Sequence, residues 1–417
     1  MVHGEAWTLK ELFVYPNEYI YWSIQIVMYP FMTGLVAGAF VLSSLYHVFG
    51  VKQLKDIARF SLVFSLALLP VAIMPLIPHP QQPLRGINVM MTPHFTSAIA
   101  AFGIVFTTYG LIVCSEIWFV YRKFIVDKVV ELRGNQGRTG LESVQLLIYT
   151  LLSMGAMDVS PEALHKDERA VSILAGIGIP VACFLHGYAG FIFGSVKANA
   201  LWMTPLMPVI FICSAVVSGI ALCIATYIIT MELRKIIYAR KRLEDPDLPT
   251  NEELKSAEIH VVTMTAKYLV MFLVLAITLE LLDLIFRTYT AVKSWDILRS
   301  VIYERDFFKI FILQYGLGNL VPFILFLMPG LTIRRALLGS LMVLMGVFMM
   351  RWNVVIGGQA FSASFSGFME YHLPLWPDNL ETYKEGLLGA LTVIATPFVL
   401  FYGVTRILPV FGVKDSH

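Results

Sequence analysis

The chain has 417 residues, of which 57% are hydrophobic and only 14% charged, and its mean hydropathy is +0.72. Soluble domains carry about 25% charged residues, so this balance excludes a water-soluble globular protein and makes lipid the solvent for most of the surface. A formal net charge of +2 also excludes the basic footprint of a nucleic-acid binder.

In chain order, the opening MVHGEAWTLKELFVYPNEY has no basic segment followed by an apolar core and a small-residue cleavage site. The first span is therefore expected to direct insertion itself. Apolar runs long enough to cross about 30 Å of hydrocarbon lie at 20–46, 59–78, 95–121, 170–194, 205–232, 262–286, 309–329, 335–356 and 386–409. The stretch 143–157 is shorter and bounded by Glu142 and Asp158. It reads as an amphipathic or re-entrant helix, with a tenth span as the alternative. The predicted fold is all-α: one membrane domain over 1–417, a polytopic bundle of about nine transmembrane helices, eight to ten.

Charge placement gives this bundle a direction. With the N-terminus outside and the C-terminus inside, segments 47–58, 122–169, 233–261, 330–334 and the tail are inner, and with the adjoining helix ends they hold about two thirds of the 31 Lys and Arg. Lys52/Lys55/Arg59, Arg122/Lys123/Lys128 and Arg234/Lys235/Arg240/Lys241 are the visible groups. A further span at 143–157 would throw these groups onto opposite sides, which favours nine. Residues 122–169 then form an inner loop carrying the amphipathic helix, and 233–261 an inner linker whose 243–258 stretch is solvated. Outer loops at 79–94, 287–308 and 357–384 carry Trp295, Tyr303, Tyr371, Trp376 and Tyr383, either as an interfacial belt or as a docking surface for an external partner. No internal repeat is evident, which argues against transporters built from duplicated halves.

Cys114, Cys183, Cys213 and Cys223 all fall inside apolar runs without metal-binding spacing and read as small buried hydrophobes. Polar residues inside the spans are more informative, because ionisable groups in hydrocarbon are costly and mark function by default. Orientation and a rise of 1.5 Å per residue gather several toward the outer face: Gln25 on the first span, His186 and Tyr188 on the fourth, Glu280, Asp283 and Arg287 on one face of the sixth, Arg351 and Asn353 on the eighth. Plainer readings stand beside this one. Asp283 and Arg287 form an i,i+4 pair that can simply neutralise itself, Arg351 can snorkel, His186 can bond a backbone carbonyl, and Tyr188 can be an interfacial aromatic. Glu116, nearer the inner end of the third span, is either the inner mouth of a proton path or a solvated cap.

A quinone needs an apolar slot, hydrogen-bond partners for two oxygens and a titratable group that takes protons when the quinol is oxidised. His, Tyr, Asp and Arg supply that mixture, and they would equally serve a proton- or ion-coupled transporter without redox role. Of nine histidines only His186 is well inside a span, which argues against a heme held by paired histidines.

The run HGYAGFIFGSVKANALWMTPLMPVIFICSAVVSGIAL at 186–222 resembles the NrfD/PsrC family, the quinone-interacting membrane subunits of modular respiratory complexes. QQPLRGINVMMTPHFTSAIAAFG at 81–103, LELLDLIFR at 279–287 and RWNVVIGGQAFSASF at 351–365 agree, the last being similar to the branch that includes DsrP and HybB. The resemblance spans about 20–410. It implies a subunit of an oxidoreductase complex in the cell inner (cytoplasmic) membrane, either non-catalytic alone or contributing quinol oxidation. Such a subunit binds menaquinone or another quinone near the outer face. It carries no heme, iron–sulfur cluster or metal of its own, and exchanges electrons with a ferredoxin-like iron–sulfur partner docked outside. Further subunits, cytochromes among them, and a sulfur-metabolism complex of the DsrMKJOP kind are implied by the DsrP-like branch.

Carried over residue by residue, the family's quinone-approaching Tyr falls on Tyr188, and its polar positions fall on His186, Glu116, Asp283 and Arg287. First-helix Asn and His of the family are replaced here by Tyr21, Trp22 and Gln25, and the loop acid of DLGRP is lost in HPQQP, leaving Arg85. The expected site thus has His186, Asp283 and Arg287 as catalytic groups. Gln25, Tyr188, Arg351 and Asn353 contact the quinone, and Glu116 and Glu280 lie on a proton path.

Overall fold

A computed structural model describes residues 19–411 apart from 21, 78–84, 87, 95, 136, 138, 197–198, 200, 242–247, 290–294 and 362–366. Residues 1–18, Tyr21 and all of HPQQP lie outside the described residues. Nine helices among those described are long and apolar enough to cross a membrane. We number them α1 (Ile24–His47), α2 (Lys55–Ala72), α3 (Ala98–Gly134), α4 (Pro161–Gly194), α5 (Met207–Lys241), α6 (Asn251–Tyr289), α7 (Phe308–Leu327), α8 (Ile333–Val355) and α9 (Leu387–Ile407). The chain is a multi-pass integral membrane protein. Each predicted span has its helix, and 143–157 does not add a tenth: Gly140–Leu152 has 13 residues, about 20 Å of helix against about 30 Å of hydrocarbon.

This short helix forms where its sequence says it should. Thr139 caps it, and Glu142 returns a bond to the Thr139 backbone in a capping box. Leu141, Val144, Leu147 and Leu151 face outward, while the Tyr149 hydroxyl donates to the carbonyl of Ile407 at 2.9 Å. The helix is thus pinned to the end of α9 with an apolar face left open.

The segments expected to be inner loops are more helical than their charge suggested. α3 runs on to Gly134 and α4 begins at Pro161, where Ser160 caps it. α5 reaches Lys241 and α6 starts at Asn251, so 251–258 is helix and not linker, exposed apart from Leu254 and Glu258. Buried ion pairs explain the continuation. Arg122 holds Asp167 at 2.7 Å between α3 and α4, and Lys235 holds Glu258 at 2.5 Å between α5 and α6. Glu258 is fully buried, and a charge kept there needs its partner.

α1 and α5 form the centre and are buried along most of their length. They cross at Gly38 and Gly219, where a Cβ on either would run into the other's backbone; Gly318 and Gly346 make the same crossing between α7 and α8. Small residues permit such approach where lipid supplies no hydrophobic drive. α6 and α9 sit outside, with Leu281, Leu282, Ile285, Val399 and Tyr402 exposed as lipid-facing surface. Because the spans alternate, the basic clusters collect at one end of the bundle. The starts of α1, α5, α7 and α9 collect at the other.

Candidate functional site

Two polar clusters meet near that second end, within about 15 Å of the helix termini by residue rise. The first is built on α4, α5, α8 and α1. His186 and Arg351 are both completely buried. The Arg351 guanidinium lies 2.9 Å from His186 Nε2, donates to Ser214 Oγ at 2.6 Å, and sits over the Phe211 ring, 3.8 Å from its centre. A guanidinium only donates, so Nε2 must accept and the imidazole is the Nδ1–H tautomer. That N–H faces Thr33 Oγ1 at 3.3 Å, whose own hydroxyl donates to the Tyr29 carbonyl. Both ring nitrogens are therefore engaged, and Gly34 leaves room for the ring: a Cβ there would come within 3.1 Å of it.

The second cluster lines a cavity of about 120 Å³ between α5, α6, α7 and α8. Glu280, Asp283, Leu284 and Arg287 contribute one stripe of α6. Arg287 Nε donates to Asp283 at 2.8 Å, and Thr204, just before α5, donates to the other carboxylate oxygen at 2.5 Å. Gln314 Nε2 donates to Glu280 at 2.9 Å, and Asn353 Nδ2 donates to Gln314 Oε1 at 2.8 Å. This chain fixes both amides: with Glu280 accepting, Gln314 must turn its oxygen to Asn353, and Asn353 must turn its own oxygen away. Asn353 Oδ1 is buried and has no hydrogen-bond partner among the described residues. Met350 on α8 lines the cavity beside Arg351, and Met207 and Ile210 on α5 line it beside Phe211, so the two clusters are neighbours.

α7 is what delivers Gln314. From Phe308 to Leu320 it is wound as an i→i+5 helix, a wide turn that is rare and concentrated at functional positions. Tyr315 follows into the same cavity and hydrogen-bonds Glu280.

Of the expected site residues, the structure brings Glu280, Asp283, Arg287 and Asn353 to one cavity, with His186 and Arg351 behind it. Three stand apart. Tyr188 lies two positions beyond His186, about 200° around α4, with its ring against Phe184 and Phe191 and outside the cavity lining. The Gln25 amide donates to the Lys384 carbonyl at 2.6 Å, tying α1 to the segment before α9. Glu116 is fully buried in α3, its two oxygens without a hydrogen-bond partner among the described residues. Thr204, Ser214, Gln314 and Thr33 were not singled out from sequence. Gln314 had a signal: QYGLGN places uncharged amides inside an apolar span, as Gln25 and Asn353 are in theirs. The aromatics of the 357–384 loop divide: Tyr371 packs edge-on against Trp352, while Trp376 stays exposed.

The profile of the polysulphide reductase NrfD family matches residues 15–363. A selenate reductase subunit of Mesobacillus selenatarsenatis is 25% identical over 96% of this chain and 89% of its own length. The Hdr-like menaquinol oxidoreductase integral membrane subunit of Archaeoglobus fulgidus is 22% identical over 94% of this chain and 87% of its own length. With a match over most of its length to that profile, the chain belongs to the polysulphide reductase NrfD family.

Proposed function

We propose that this protein is the quinone-interacting membrane subunit of an oxidoreductase complex, taking electrons from menaquinol, or returning them, at the Glu280–Asp283–Asn353 cavity. The observation that carries the reading is the acceptor Asn353 Oδ1, buried without a hydrogen-bond partner among the described residues, on a side chain that lines a cavity together with two carboxylates and a guanidinium. A quinol hydroxyl is the complementary donor. The cavity is small for a whole ligand, but only the headgroup needs it. The neighbouring face of α6, with Leu281, Leu282 and Ile285 exposed, leaves an isoprenoid tail in lipid.

Oxidation of a quinol releases two electrons and two protons. Asp283, steadied by Arg287 and Thr204, is the first proton acceptor, and Glu280, bonded through Gln314 to Asn353, is the second. Arg351 balances the charge of the site, and His186, with both nitrogens engaged, positions Arg351 in place of acting as the base. Tyr188, packed on Phe184 and Phe191 outside the lining, takes no part in binding the headgroup in this cavity, and Gln25 ties α1 to the segment before α9. Glu116 belongs to a proton path toward the basic end. The electrons pass to a ferredoxin-like iron–sulfur subunit docked over the second end, where Trp376 is exposed, with cytochromes as further members of the complex.

The relatives support this reading: one is a subunit of a selenate reductase and the other the integral membrane subunit of an Hdr-like menaquinol oxidoreductase. The same likeness supports a complex working on a sulfur or selenium compound, as in the DsrMKJOP kind, and a location in the cytoplasmic membrane.

The test is steady-state quinol oxidation by the reconstituted complex carrying Asp283→Asn or Glu280→Gln. Removing a positioned proton acceptor lowers turnover by about a hundred-fold or more. Turnover within about two-fold of the parent in both variants would remove the cavity from the mechanism.

A further inference from the structure

At the opposite, basic end, a cavity of about 610 Å³ opens between the end of α1, the start of α2, the lower part of α3 and the start of α4. Four fixed cations line it: Lys52, Lys55, Arg59 and Lys123. Two carboxylates, Asp167 and Glu168, face them, and Arg122 already holds Asp167 from outside the lining. The enclosed space keeps a cationic surplus. His47 adds a donor or acceptor, since its Nε2 is buried without a hydrogen-bond partner among the described residues. The upper wall is apolar, made by Phe119, Val120 and Val171. Cations at the mouth and hydrocarbon above, at the level where a helix bundle leaves the membrane, are the two halves of an amphiphile's complement. Topology alone does not require the enclosure: Arg240 and Lys241 are equally basic and serve the charge bias from an exposed helix end.

We propose that this cavity is a binding site for the phosphodiester headgroup of an anionic phospholipid from the leaflet at the basic end. The phosphate oxyanion lies among Lys52, Lys55, Arg59 and Lys123, His47 bonds the headgroup, and the acyl chains leave along Phe119 and Val171. Bound there, the lipid joins α1, α2 and α3 through one anion and lays its acyl chains against α4. It is independent of the quinone cavity, which lies at the other end.

The full chain, purified within its complex and delipidated, is titrated with phosphatidylglycerol and with phosphatidylcholine of the same chains, and bound lipid is counted by native mass spectrometry. The expected result is one phosphatidylglycerol per chain, preferred over phosphatidylcholine by at least about ten-fold. The triple change Lys52→Gln, Lys55→Gln, Lys123→Gln weakens it by about a hundred-fold, at roughly five-fold per basic side chain near a membrane. Val171→Trp, which blocks the apolar wall where the acyl chains leave and keeps every charge in place, also abolishes the bound lipid. Arg240→Gln with Lys241→Gln leaves it unchanged. Equal binding of the two lipids, retention in Val171→Trp, or the same loss in the Arg240/Lys241 variant would overturn the proposal. Displacement of the lipid by millimolar inorganic phosphate would overturn it in favour of a free-anion site.

Discussion

The Arg351 guanidinium is completely buried in the membrane part of the bundle, and its neighbours show how a charge is kept there. It is not snorkelling: it is directed inward to His186, Ser214 and the face of Phe211. Removing one partner of a buried charge costs more than replacing the whole arrangement by apolar groups of similar shape. His186→Phe therefore destabilises the protein by about 1–3 kcal/mol, whereas His186→Phe combined with Arg351→Met recovers part of that loss. Thermal unfolding in detergent compares the two. A double variant less stable than the single would show that His186 is not the group that retains Arg351.

The helices owe their packing to positions without side chains. Gly38 against Gly219 and Gly318 against Gly346 bring backbones into contact, and the second crossing holds the wide-turn part of α7 against α8, which seats Gln314 beside Asn353. Gly219→Ala or Gly346→Ala forces these helices apart at a cost of about 1–3 kcal/mol. Gly176→Ala on α4, where a Cβ meets nothing, has no such effect. Folded yield and melting temperature distinguish the three variants; equal behaviour would contradict the packing account. This level was partly legible in the sequence. Hydropathy found nine spans because backbone groups in lipid must be satisfied within helices, and charge found the two ends. It could not find the length of α5 and α6 beyond the membrane, because that depends on the Lys235–Glu258 pair across helices. The i→i+5 winding of α7 was likewise out of reach, and with it the placing of Gln314 beside Glu280 and Asn353, although QYGLGN showed amides inside the span. At the site, the stripe Glu280, Asp283, Arg287 was readable from helical spacing. The splitting of His186 from Tyr188 was readable too, from their two-residue separation, but a shared motif drew them together.

Taken whole, the molecule is a bundle with two unlike ends, one collecting the basic clusters and the other the acids, amides and aromatics of the cavity. Because positive charge is retained on the cytoplasmic side, we propose that the quinone cavity faces outward and Asn135 the cytoplasm. In intact cells, an impermeant maleimide labels Asp378→Cys and not Asn135→Cys, both positions being exposed; the opposite pattern would invert the bundle. The central claim, however, is that this outward end receives a quinone at Asn353. Its most direct measurement is equilibrium titration of the purified chain with a naphthoquinone followed by tryptophan fluorescence, in the parent and in Asn353→Leu. Saturable one-to-one binding, weakened about three- to ten-fold by loss of one hydrogen bond, is the predicted result. No saturable binding, or binding that Asn353→Leu leaves unchanged, would contradict it.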